Sequence, residues 1–224
     1  MQTVGSMMAA KQLWEQAIVP SLLSGAGTWV SITPEAEAMC EELQELFWRV
    51  MLQVPKSSPK VMLTAETQTM MMKQRIWKMK LMTANGILKK DGTMANDIYN
   101  EQMAMSWPGL SSEVKEICQT IGISNLNKNY ISKEEIENAV FFHNYKEMKC
   151  EMERYRKLED IKHEDFRKPQ NYMESKSVEN ARMAYRIRCK MVKTFKMNFK
   201  NSYKNLKCEN CLFGSLDDQS HRDA

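Results

Sequence analysis

Only six prolines and eight glycines punctuate 224 residues, so the chain lacks the turn-formers that many short strands would need. Twenty methionines and a large share of other straight-chain residues push the same way, because such side chains lose little freedom in a helix. The expected fold class is all-α, and sandwiches, barrels and Gly-rich nucleotide loops are excluded. With 43% hydrophobic and 27% charged residues the chain has enough apolar surface to bury a core, which argues against wholesale disorder. No apolar run approaches the roughly 18 residues of a membrane span, and no signal peptide is visible. Six cysteines are too few for a disulfide scaffold. The expected setting is therefore intracellular, in nucleus or cytoplasm.

Helix signals divide the chain. Met7 to Leu23 is a first helix, which Pro20 should bend or end; Gly25 and Gly27 then permit a reversal. Thr33-Pro34 with Glu35 and Glu37 reads as a helix start. Met39, Leu43, Leu46, Phe47, Val50, Met51 and Val54 then form an amphipathic face that stops at Pro55. Together these predict an N-terminal helical hairpin. Ser57-Ser58-Pro59 is a linker, Thr64 to Leu88 a helix with a weak point at Gly86, and Asp91 to Asn100 a loop. After the Trp107-Pro108-Gly109 turn, Ser112 should cap a short helix ending at Gly122. The Ser132 to Glu135 capping box should open another helix that runs to about Asp160.

The charge is unevenly spread. Between Lys176 and Lys207 ten basic residues face one acid, a net +9, which leaves −5 for the rest of a chain whose total is +4. If Ala181 to Lys207 is one helix, then Arg182, Arg186, Lys190, Lys193, Lys196, Lys200 and Lys204 fall within an arc of about 120°. Ala184, Tyr185, Val192, Phe195, Phe199, Tyr203 and Leu206 gather on a separate arc of about 100°. The long basic amphipathic helix expected here would dock on its apolar side and offer cations along a phosphate backbone. RNA or single-stranded DNA is the partner this points to, bound without sequence preference. A Lys-rich face that is merely solvated and a helix lying on a membrane surface are the other readings of the same pattern.

Cys208-Glu-Asn-Cys211 follows, then His221. Two thiolates and an imidazole are three ligands of a zinc site, which needs a fourth donor; an incidental cysteine pair fits the residues equally. Asp217-Asp218 lies in a polar tail and reads as a solvated acidic turn. His143, Cys150 and His163 lack ligand spacing, and Cys40, Cys118 and Cys189 are scattered. No nucleophile elbow, Walker loop or H-E-x-x-H motif occurs, so no enzymatic activity is expected.

Two ends of the chain resemble one family. Leu13-Trp14-Glu15, Ile18 to Leu23 with its Pro20, and Gly25-Ala26-Gly27-Thr28-Trp29 are similar to the segment just after the polymerase palm of non-LTR retrotransposon reverse transcriptases. Phe47-Trp48-Arg49 and Glu66-Thr67 match the following thumb-like region. Ala181 to Lys193, Asn198-Phe199-Lys200, Tyr203, Cys208, Cys211 and Asp218 to His221 resemble its linker helix and terminal zinc knuckle. The resemblance implies a thumb-like helical hairpin (1–58), a helical linker region (59–168), a basic amphipathic helix (169–207) and a truncated knuckle-like tail (208–224). It implies Zn²⁺ on Cys208, Cys211 and His221, in a knuckle whose last Cys would follow beyond this sequence. The aromatic-x-Asp-Asp palm motif that holds the polymerase metals is absent from the sequence, so a non-catalytic remnant is implied. The other functional readings are a helical interaction protein with Met-rich faces and a reading frame under no selection.

Overall fold

The computed structural model describes residues 6–29, 32–123, 130–155, 158–161, 163–167, 170–175 and 177–191. Among them there is no strand, and the all-α class holds. The helices are α1 (Met7–Leu13), α2 (Val19–Leu22), α3 (Pro34–Leu52), α4 (Lys60–Thr67), α5 (Met72–Leu88), α6 (Met94–Met105), α7 (Leu110–Ile121), α8 (Lys133–Glu153) and α9 (Val178–Arg188). A π-helical turn, Trp14–Ile18, joins α1 to α2, so the helix passes Pro20 and ends two residues later. Val19 bonds back to Trp14 rather than to residue 15, the wider ring that defines a π turn. Gly25, at φ 76°, then starts the reversal that leads to α3.

Several expectations need correction. The helix predicted over 64–88 begins earlier and is broken, because Gln68 adopts the left-handed conformation (φ 49°) and closes α4 on the carbonyls of Thr64 and Ala65. No glycine marks that stop, and Gly86, read as the weak point, sits inside α5. The stretch read as a loop over 91–100 contains the start of α6, whose Thr93 accepts from the Asn96 N–H. Only Asn96 and Tyr99 of α6 are buried, too sparse a pattern to register as a period. The α8 helix ends at Glu153, short of Asp160, in tight turns at Arg154 and Tyr155.

On α3 the expected and observed buried sides differ. Gln44, Trp48 and Leu52 are buried, whereas Met39, Leu43, Leu46 and Val50 are 69%, 40%, 55% and 62% exposed. Successive residues turn by about 100°, so the two sets lie on opposite sides of the helix. The large Trp48 takes the inner side and turns the smaller apolar residues outward.

The chain forms two compact units, each drawn from separate stretches. One comprises residues 12–47 and 69–150 and is built on α5. The 25–28 turn, α6 and α7 pack on that helix. A Cβ on Gly27 would meet the Thr83 hydroxyl and lie 3.1 Å from the Met79 carbonyl, so the approach of this turn to α5 requires glycine. The core joins Leu81, Ala84, Tyr99, Val114, Ile117, Ile136 and Val140. At its edge the buried Asn85 amide donates to the Ile131 carbonyl (2.9 Å) and accepts from its N–H (3.1 Å). The N-terminus of α5 is capped from distant helices, the Met71 N–H donating to Asn144 Oδ1 and the Lys73 N–H to Glu41 Oε1. Arg75 holds Glu15 through two bonds of 2.6 Å.

The other unit takes, among the described residues, 6–11, 48–68 and those between 151 and 191. All residues of α4 from Val61 to Thr67 are buried, and that run includes one acid, Glu66.

Candidate nucleic-acid interface

The described part of the basic region is α9, its cap Ser177 and the three residues after it, Cys189, Lys190 and Met191. Ser177 caps the helix by accepting from the Asn180 N–H (3.3 Å). Ala181, Tyr185 and Cys189, at four-residue spacing, are its buried side. Tyr185 was expected on the apolar side and is there. The helix ends at Arg188, and Lys190 has φ 53°, so Lys190 does not continue the helical face of Arg182 and Arg186. That corrects the expectation of one helix running through this position. Lys193, Lys196, Lys200 and Lys204, together with Cys208, Cys211 and His221, lie outside the described residues.

The cations of α9 have partners within their own unit. Arg182 Nε donates to the Met51 carbonyl (2.8 Å) and Arg186 Nη2 to the Gln53 carbonyl (2.7 Å). Met51 is among the last four residues of α3, whose carbonyls have no partner within the helix. Guanidinium groups suit that end of a helix dipole. Lys190 pairs with Asp160. Three of the seven cations predicted to meet phosphates thus have an intrachain partner.

Arg188, outside that predicted set, reaches the most unusual group in the unit. Its Nε donates to Glu66 Oε1 (2.8 Å) and its Nη2 to Glu164 Oε2 (2.5 Å). The Tyr172 hydroxyl donates to Glu66 Oε2 (2.5 Å). Glu66 is fully buried, and burial raises its pKa against the opposing pull of Arg188 and Tyr172. Burial works against the charge of Arg188 too, yet the Glu164 and Glu66 carboxylates outweigh it and push its pKa up. Tyr172 is driven far up by burial and by the Glu66 charge. The neighbouring Cys189 thiol is pushed up to about 12, first by burial, which makes it a poor nucleophile.

Sequence reasoning assigned Glu66 no role beyond a family likeness. The available signal was a lone acid inside Val61-Met-Leu-Thr-Ala-Glu66-Thr67, where an unpaired carboxylate would be costly. Tyr172 and Glu164 carry no such mark. Among the described residues no group of three or more His, Cys, Asp or Glu side chains is arranged to hold a metal ion. None of the described helices is long and apolar enough to cross a membrane. Compared with known proteins, the chain matches no protein-family model, no curated protein and no solved structure.

Proposed function

We propose that the chain is a non-catalytic remnant of a retroelement reverse transcriptase that binds RNA or single-stranded DNA weakly and without sequence preference. The net +9 of residues 176–207 on an otherwise acidic chain carries this reading. The geometry of α9 refines it. Arg182 and Arg186 are engaged with the end of α3, so the cations available to phosphates are weighted toward Lys193, Lys196, Lys200 and Lys204.

The test is affinity for an unstructured oligouridylate against salt. Neutralising about four phosphates on a single strand gives a slope of log K against log salt near −3. Reversing Lys193, Lys196 and Lys200 to Glu should abolish most of the binding and flatten the slope. Changing Arg182 and Arg186 to Ala should lower stability and leave the slope nearly unchanged. A triple-Glu chain that keeps both affinity and slope overturns the proposal. A second reading, a helical interaction protein, draws on a separate observation, the outward apolar side of α3.

A further inference from the structure

Met39, Leu43 and Leu46 recur at steps of four and three on α3, the spacing of a coiled-coil seam. At about 100° per residue they share an arc of about 60°. All three are exposed. Single exposed apolar residues are ordinary on a protein surface, but a continuous seam is a mark of an interaction site. One flank of the seam carries the exposed acids Glu35 and Glu42. Across its length α3 holds Glu35, Glu37, Glu41, Glu42 and Glu45 against Arg49 alone, a net −4. Arg49 is already engaged, donating to the Pro55 and Ser58 carbonyls.

We infer that this face of α3 is a docking surface for a basic amphipathic helix of another protein. The seam supplies knobs for a partner with apolar residues at three- and four-residue steps, and Met39 adapts to an imperfect fit. The acidic flank selects the charge: Lys or Arg beside the partner's seam meets Glu35 and Glu42, whereas acids there are repelled. A second copy is the poorer occupant, since pairing two α3 helices brings together two net charges of −4. The chain's own basic stretch is assigned above to nucleic acid, which leaves the surface to a partner in trans.

The probe is a pair of synthetic three-heptad helices with Leu at the seam positions, one flanked by Lys and one by Glu. They are titrated into the full chain by fluorescence anisotropy. The Lys-flanked peptide should bind at least tenfold tighter than its Glu-flanked twin. Leu43→Asn with Leu46→Asn should weaken it tenfold or more without changing the helical circular dichroism, because both side chains are exposed. Glu35→Lys with Glu42→Lys should reverse the preference between the peptides, which a nonspecific apolar contact would not do. Equal binding of both peptides, or full binding by the Asn variant, overturns the inference. A dimer by sedimentation that the Asn pair dissolves would give the surface to a second copy instead. Tighter peptide binding after reversal of Lys193, Lys196 and Lys200 would give it to the chain's own basic stretch, and would likewise overturn a partner in trans.

Discussion

In the unit of residues 12–47 and 69–150 a buried amide, Asn85, serves the backbone at the core edge and the buried Lys80 has a half-buried partner in Glu113, whereas in the other unit a fully buried carboxylate, Glu66, gathers partners from distant segments. Asn85 replaces two missing backbone bonds of Ile131 and lies against a cluster of Leu, Val and Ile side chains. Glu66 instead takes bonds from Arg188 and Tyr172, residues 122 and 106 positions away. An amide satisfies its neighbours at modest net gain, while a buried charge must be answered in full or it costs several kcal/mol. The Asn85 contact should therefore be cheaper to lose than the Glu66 network. The comparison also explains why basic residues of α9 are drawn inward. Three arginines of that helix are held by a carboxylate pair and the carbonyls at the end of α3, within a segment whose composition reads as an open cationic surface.

Removing each polar hub in turn is the strongest way to break that contrast. Glu66→Ala leaves Arg188 with Glu164 alone, strips the Tyr172 hydroxyl of its acceptor and opens a hole beside α4, and should cost about 3–5 kcal/mol of unfolding free energy. Asn85→Ala orphans the Ile131 N–H and carbonyl and should cost about 2–3 kcal/mol. Urea denaturation followed by circular dichroism measures both. A Glu66→Ala chain at least as stable as the Asn85→Ala chain would show that the charged network is ornamental and that packing on α4 holds its unit alone.

Thiol labelling sharpens the same comparison at lower energetic cost. Cys118 is buried in the Asn85 unit and Cys189 in the Glu66 unit, and burial pushes their pKa values to about 11 and about 12. Both should label slowly at pH 8 compared with the exposed Cys150, when modified peptides are read by mass spectrometry. Glu66→Ala should speed labelling of Cys189 by tenfold or more and leave Cys118 protected; Asn85→Ala should do the reverse. Equal acceleration of both thiols by either substitution would mean that the two units open as one.

How much of this the sequence could disclose depended on where the deciding partner lay. The Gly25 reversal, the helix opening at Pro34 and the stop at Gly122 are local, and their residues announce them. The direction in which α3 faces is not local. Its apolar period is real, but the inner side is claimed by Trp48 and Leu52 with Gln44, and a single helix cannot reveal which side its neighbours take. The break at Gln68 is likewise carried by a residue with no special turn chemistry, and the caps on α5 come from Asn144 and Glu41, 73 and 32 residues from the groups they satisfy. For the candidate interface, charge counting found the basic residues. It could not show that Arg182 and Arg186 meet carbonyls of Met51 and Gln53, since nothing at those two positions marks them as acceptors.

The smallest expected effect is in the pH dependence of stability, and it separates the units by sign. The folded-state pKa of Glu66 is raised above its ordinary value near 4.5, chiefly by burial. The folded chain therefore holds this proton more tightly than the unfolded chain, and the linked stability is fully present below about 4.5 and lost as pH rises through the folded pKa. Glu137, in the other unit, has a pKa lowered by its hydrogen bond and charge pairing with Lys78, 2.7 Å away. Its contribution is present above the unfolded pKa and lost as pH falls through the folded one. The Glu137 pair is solvent-facing and should fade in high salt, whereas the Glu66 effect should persist. The measurement is unfolding free energy from pH 4 to 8 for the wild type, Glu66→Gln and Glu137→Gln. Relative to Glu66→Gln, the wild type should lose stability as pH rises; relative to Glu137→Gln, it should gain a little. A wild type that gains on Glu66→Gln with rising pH would mean that Arg188 and Tyr172 outweigh burial, and the buried carboxylate would then stabilise its unit as an ion pair.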